Sequence, residues 1–288
     1  MPKMPCLIAV TLLLGSVGAA QEPVPEVAKG ERWGIILVGL PGDAEHDKLF
    51  RKTADGWQKW LTETLDFPAD HVLRLPEQAE GMAEAPPPVT AEAIRGKLAD
   101  LQAKLKPEDS LWVLTLGHGN QDGQQAWFHV SGRDPSGTDF GRWLSEVRCR
   151  EQVIWLTHAC SGWWVKPLSQ PGRIVIAATA ADDESNETEF PHALATAAKL
   201  PLDKLDADKD GQVSVAEFFT TVTREVENRF QSDKRIPTEH AQLDDNGDGK
   251  GTEDLTPKDP PADEAAAKLD GNLAKKTFLP LRMPPPKD

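Results

Sequence analysis

The 288-residue sequence contains a pair of residues whose types and surroundings suit covalent chemistry. His118 is followed by Gly119, and Cys160 stands in the run Ala159-Cys160-Ser161-Gly162. A thiol with its ordinary pKa of about 8.5 is a poor nucleophile until a base or a positive charge draws it toward thiolate. An imidazole does this, and afterwards hands the proton to a leaving amine. Glycine at 119 lets backbone N–H groups approach a reacting carbonyl, so the N–H groups of Gly119 and Cys160 are expected to form an oxyanion hole. His158 competes for the role of base, because residues two apart in a strand share a face. A zinc site built from His118, His158 and Cys160 would lack a close-spaced ligand pair.

A second group of residues suits a hard cation. Asp206, Asp208, Asp210, Gly211, Gln212, Ser214 and Glu217 match the EF-hand calcium loop at each of its diagnostic positions. Carboxylates at positions 1, 3 and 5 and a bidentate Glu at 12 supply oxygen ligands, position 7 gives its carbonyl, position 9 acts through water, and glycine at 6 allows the sharp turn. Asp244, Asn246, Asp248 and Gly249 repeat positions 1, 3, 5 and 6, but position 12 is Leu255, so Glu253 or Asp254 would have to substitute in a non-standard loop. The expected ion is calcium in a structural role; the Cys–His chemistry needs no cofactor.

These residues must be held by a scaffold, and the hydropathy pattern supplies one. Short apolar runs at 33–40, 71–75, 110–116, 152–159 and 173–178 have the character of buried strands. Between them lie stretches of helical periodicity at 44–65 and 90–105, the second capped by Thr90, and near 138–147; a polar hairpin reaches about Gly132. Alternating strands and helices predict an α/β fold, a mostly parallel sheet with helices on both faces. His118 and Cys160 then stand at the carboxyl ends of two strands, where such sheets bind ligands. Further helices are expected at 190–203 and 214–230, the latter with Phe218, Phe219, Val222, Val226 and Phe230 as a packing stripe.

Composition narrows the partners. Lys plus Arg is 32 and Asp plus Glu is 46, a formal charge of −14, which argues against nucleic acid and suits divalent cations. Met1-Pro-Lys3, an apolar run from Cys6 to Leu14 and small residues up to Ala20 read as a secretory signal cut after Ala20. The mature chain is therefore expected to be exported, free of membrane, with Cys149 and Cys160 remaining. Two cysteines in an exported chain would ordinarily form a disulfide, but the surroundings of Cys160 favour a nucleophile.

An apolar strand ending in His118-Gly119, then some forty residues on a strand ending in Ala159-Cys160-Ser161-Gly162, resembles the catalytic pattern of the caspase–haemoglobinase fold, and within it the legumain (asparaginyl endopeptidase) family. Arg51-Lys-Thr-Ala-Asp55 and Thr179-Ala-Ala181 followed by Glu184-Ser185 extend the resemblance over about residues 32–243. It implies a caspase-like peptidase with Cys160 as nucleophile, His118 as general acid/base and Arg51 in the primary specificity pocket, with Ser161, Glu184 and Ser185 as further pocket residues. Ser161 replaces the acidic residue that usually follows the nucleophile, and Leu49 stands where an Asn usually precedes the pocket Arg, so Asp is expected to be accepted at least as well as Asn. The domain plan is a signal at 1–20, a linker at 21–31, the peptidase domain at 32–243 including the loop 206–217, a second acidic loop at 244–255 and a Pro- and Lys-rich flexible tail at 256–288. A secreted cysteine endopeptidase acting on peptides or proteins is the function expected. A catalytically silent calcium-binding module of the same fold, or a transamidase using the same acyl-enzyme, are the alternatives.

Overall fold

The computed structural model describes residues 30–77, 87–182, 184–255 and 269–280. The expected signal segment, most of the linker and parts of the tail lie outside them. A six-stranded sheet is built from β1 (Arg32–Val38), β2 (Val72–Leu75), β3 (Ser110–Leu116), β6 (Glu151–Leu156), β7 (Arg173–Ala177) and β8 (Gln242–Asp244), in the order β2-β1-β3-β6-β7-β8. The first five are parallel, and β8 pairs antiparallel with β7. A small antiparallel hairpin, β4 (Gly119–Gln121) and β5 (Ala126–Phe128), projects after β3.

The predicted strands are all present, and the reason is burial on both faces. Ile35, Ile36 and Leu37 of β1 are wholly inaccessible, as are Val153, Ile154, Trp155 and Leu156 of β6. One face is covered by α1 (Ala44–Lys59), α5 (Phe190–Ala197) and α7 (Val215–Ser232), with the short α6 (Leu202–Leu205) leading to α7; the other is covered by α2 (Ala91–Lys104), α3 (Gly137–Glu146) and the short α4 (Val165–Leu168). Asp43 caps α1 by accepting the N–H groups of Glu45 and His46, Thr90 caps α2, and Ser136 with Asp139 forms a capping box on α3. The stripe of α7 is buried as expected: Phe218, Phe219, Val222, Val226 and Phe230 pack on the sheet.

Residues 242–244, which no apolar run marks in the sequence, form the sixth strand of the sheet. Residues 269–280, expected to be flexible tail, are packed: Ala274 is wholly buried, and Leu279 and Thr277 nearly so. The segment is held by backbone bonds, Val215 N–H to Thr277 O at 2.8 Å and Leu279 N–H to Val213 O at 2.7 Å.

Candidate active site and acidic loops

In this strand order the chain leaves β1 toward β2 on one side and β3 toward β6 on the other, so the crevice beyond the carboxyl ends of β1 and β3 is the switch point of the sheet. His118 stands there. Its Nε2–H donates to the Pro41 carbonyl at 3.2 Å, which leaves Nδ1 as the basic nitrogen of the neutral ring. The ring is flanked by His46 and Phe50 of α1, with centroids 5.0 and 5.3 Å away. His46, between Asp43 (2.9 Å) and Glu187 (3.1 Å), is shifted upward, most by its bond to Asp43.

Cys160 lies in the turn that follows β6, the strand beside β3. Its backbone lies in the left-handed region, at φ 60° and ψ 16°. A residue with a Cβ avoids that region, and holding it there costs about 1–3 kcal/mol. The turn is over-determined by its neighbours. Ser161 is wholly buried, and its hydroxyl accepts the N–H of Ala178 at 2.9 Å and of Thr179 at 3.3 Å. Gly162 lies so close to the end of β7 that a Cβ would come 2.3 Å from the Ala180 carbonyl carbon. Gly119 is required in the same way, since a Cβ there would meet the Ala159 oxygen at 2.6 Å. The two glycines press the His118 turn and the Cys160 turn against their neighbours.

The thiol itself is wholly inaccessible, packs with the cluster on the α2 and α3 face, and is pushed upward in pKa by burial. Among the described residues no hydrogen bond joins it to His118, so the dyad is not closed in this structure. The Gly119–Phe128 pair is of the non-hydrogen-bonded kind, because His129 N–H donates to His118 O; the Gly119 N–H is thus not taken by the hairpin. The Cys160 N–H is taken. It donates to Glu184 O at 3.1 Å, which corrects the expectation that it stands free as a second oxyanion donor.

The other predicted residues separate. Arg51 is partly exposed, its Nε donating to Asp47 at 2.9 Å, on the wall of a cavity of about 340 Å³ that also contains Pro41, Phe50 and Arg74. This puts it next to the segment that holds His118. Ser161 and Glu184 are corrected as pocket residues: the first is the buried brace just described, and the second is buried with its carboxylate bound to the N–H groups of Ala180 (2.7 Å) and His240 (3.0 Å) and to the His240 ring. Glu184 therefore positions Cys160 through its carbonyl. Ser185 is exposed. His158 is fully buried between Phe128 and Trp164, its Nδ1–H donates to Ala159 O at 2.9 Å, and burial pulls it down to about 4, so it stays neutral and enclosed. Cys149 and Cys160 are both free thiols.

In the first acidic loop, oxygens of Asp206, Asp208 and Asp210 lie within 4.8 Å of one another. Asp206 Oδ2 accepts the Gly211 N–H, while its Oδ1 is buried without a partner. Glu217 Oε1 accepts the N–H groups of loop positions 2 and 3, Ala207 (2.9 Å) and Asp208 (3.3 Å), and its Oε2 closes a capping box with Ser214 at the start of α7. Gln212 and Ser214 hold positions 7 and 9. Three gathered carboxylates, one with an orphaned buried oxygen, fit a calcium ion.

The second loop starts on the last residue of β8. Asp244, almost wholly buried, accepts the N–H groups of Gly247 and Gly249; Asn246 accepts from Asp248, and Asp248 from Lys250. Leu243 and Thr252 then exchange backbone bonds at 2.9 Å, which turns the chain back as a hairpin. Glu253 and Asp254 are exposed beyond it. Asp270, outside the loop and absent from the sequence-based set, bonds it from elsewhere in the chain: its carboxylate accepts the N–H of Asp245 at 3.1 Å and bonds that of Asn246. These are loop positions 2 and 3, the pair that Glu217 holds in the first loop. Asp270 is pushed up to about 7, first by burial and then by the charges of Asp244 and Asp245.

No family model matches the chain, and no curated protein is significantly similar to it. Among solved structures it is similar to the Drosophila initiator caspase Dronc, at 13% identity and a TM-score of 0.47, over 84% of this chain and 96% of that one. It is also similar to a secreted C11 cysteine protease from Bacteroides thetaiotaomicron, in complex with an irreversible peptide inhibitor, at 10% identity and a TM-score of 0.41, over 74% of this chain and 65% of that one. These likenesses concern the arrangement of strands and helices alone.

Proposed function

We propose that this chain is an exported cysteine endopeptidase of the caspase-like kind, with legumain-like features, stabilised by calcium. The observation that carries the reading is the strained Cys160: a non-glycine residue held at positive φ, in the turn beyond the carboxyl end of the central strand β6, beside β3, which leads into His118-Gly119. Strain of this kind is retained where surrounding structure pays for it and function uses it. Cys160 attacks the scissile carbonyl, and its proton passes to the basic Nδ1 of His118 and then to the leaving amine. The Gly119 N–H stabilises the oxyanion. The Arg51 guanidinium, with five donors in a fixed fork, favours a carboxylate or amide side chain in the substrate, with Asp accepted at least as well as Asn. Closing the dyad requires the thiol to emerge from its packed position and the imidazole to turn from Pro41 O; catalytic bonds that tighten only with substrate bound are common.

Calcium belongs to the stability of the fold in this reading. Asp206, Asp208, Asp210 and Glu217, with the Gln212 carbonyl and Ser214, would hold one ion; Asp244, Asn246, Asp248 and Asp270 would hold a second. Labelling by a library of peptide acyloxymethyl ketones tests the peptidase reading, because it reports thiolate reactivity and side-chain preference together. Covalent attachment at Cys160 after acidic or amide side chains supports it, and absence of labelling refutes it. The buried thiol and the open dyad favour a second reading, a silent calcium-binding module, which predicts calcium binding with no labelling at all.

A further inference from the structure

On a chain of net charge −14, basic side chains without a carboxylate partner stand out when they gather. Arg51, Arg74, Lys97, Arg229 and Arg235 are each bonded to an acid. Lys52 and Lys59 of α1 and Lys199 just after α5 are exposed, and among the described residues none of them forms an ion pair. All three line one groove of about 420 Å³ between α1 and α5, with Arg229 of α7 at its side. The acids nearby offset them only in part, by Glu63. Glu189 is occupied by Arg229 and Arg235, Glu187 by His46, and Glu63 is the carboxylate in the lining. The groove adjoins the crevice of His118: Leu49, Thr53 and His192 line both.

We propose that this groove binds an acidic segment of a polypeptide, which on the peptidase reading above, on which the assignment rests, is a stretch of the substrate beyond the cleaved bond. Leu49 and Ala195 give the segment apolar contact, and the lysines select its carboxylates. Selection by lysine point charges on flexible stems is tolerant of exact position, so the groove reads charge density and not a fixed motif.

The probe is a fluorescein-labelled peptide alternating Asp and Leu, with its Asn and Leu counterpart, added to full-length Cys160→Ala and followed by anisotropy. The acidic peptide is expected to bind roughly tenfold tighter, the sum of three exposed pairs. That advantage should disappear in the triple variant Lys52→Glu, Lys59→Glu, Lys199→Glu, and shrink at about 0.5 M salt, where screening acts over a few ångströms. Lys199→Glu alone, outside α1, should show a partial loss and guards against misfolding of the triple variant. Equal affinity for the two peptides, or an acidic preference that survives charge reversal, overturns the proposal. Ketone labelling of the unmodified protein keeps the two readings apart. Acidic binding without labelling retains the groove and refutes the peptidase, whereas labelling without acidic preference refutes the groove alone.

Discussion

Calcium in the first acidic loop makes the most searching prediction, because two of its carboxylates have different second duties. Glu217 serves the loop and also caps α7 through Ser214, whereas Asp208 accepts only the N–H of Asp210 at 3.1 Å and is exposed. Asp208→Asn therefore removes charge from the loop without loosening the helix; the amide oxygen can still accept that bond. An ion that binds only the folded loop stabilises the chain by RT ln(1 + [L]/Kd). Extracellular loops of this type have Kd of roughly 0.1–1 mM, so a tenfold excess stabilises by about 1.4 kcal/mol. For a domain of this size that raises Tm by roughly 3–6 °C. Scanning calorimetry with millimolar calcium against chelator is the assay. The chelated Asp208→Asn protein should melt with the chelated parent, and its calcium gain should largely vanish. Glu217→Gln should lose the gain and also melt lower without calcium, by up to about 1 kcal/mol for the weakened cap. Equal calcium shifts in the parent and in Asp208→Asn would show that the ion binds elsewhere. No calcium heat and an unmoved melting curve would reduce the loop to a solvated acidic turn.

Four further outcomes follow from the same geometry. Asp270→Asn, which retains an acceptor for the Asp245 N–H but not the charge, should lower the calcium stoichiometry in titration calorimetry from two to one. Cys160→Ala should abolish peptide cleavage and His118→Ala should lower kcat/KM by on the order of 10³-fold, both with a near-native circular dichroism spectrum; retained activity in His118→Ala would remove the base from its role. Arg51→Ala should lower kcat/KM for acidic or amide substrates by roughly 10–100-fold, the loss of a charge-assisted bond, and cleavage confined to positions after Arg or Lys would contradict the pocket. Glu239 is almost wholly buried, accepts the Glu189 N–H at 2.6 Å and is pushed up to about 7 by burial from an ordinary 4.5. Between those values the folded chain keeps a proton that the unfolded chain releases, so stability falls as pH rises through the window, by on the order of 3 kcal/mol when complete. Glu239→Gln should flatten that slope in melting curves taken from pH 4 to pH 8.

How far the sequence carries depends on whether a residue's partners are near it in the chain. Strands buried on both faces announce themselves as apolar runs, and the carboxylates that gather in the loop 206–217 are neighbours in the chain, so both were legible. The edge strand β8 is three residues long and follows no apolar run, so nothing local marks it. The roles around Cys160 are also non-local: Ser161 is buried because β7 ends against it, and Glu184 is drawn in by Ala180 and His240. Asp43-x-x-His46 had the one usable hint of a group beside His118, a helix cap opening the first βα turn.

The second loop shows the same limit most clearly. Residues 269–280 have no periodicity to read, and their structure is borrowed. Asp245 accepts the N–H groups of Gly271 and Ala274, at 2.9 and 2.7 Å, and so fixes the turn that presents Asp270 to loop positions 2 and 3. Seven residues on, the same segment bonds Val213 and Val215, which flank position 9 of the first loop. One short stretch thus brings a carboxylate to one loop and the backbone partner to the other. On the calcium reading, ordering either loop orders the stretch that the other needs, so two ions are expected to bind with positive coupling through residues that neither motif contains.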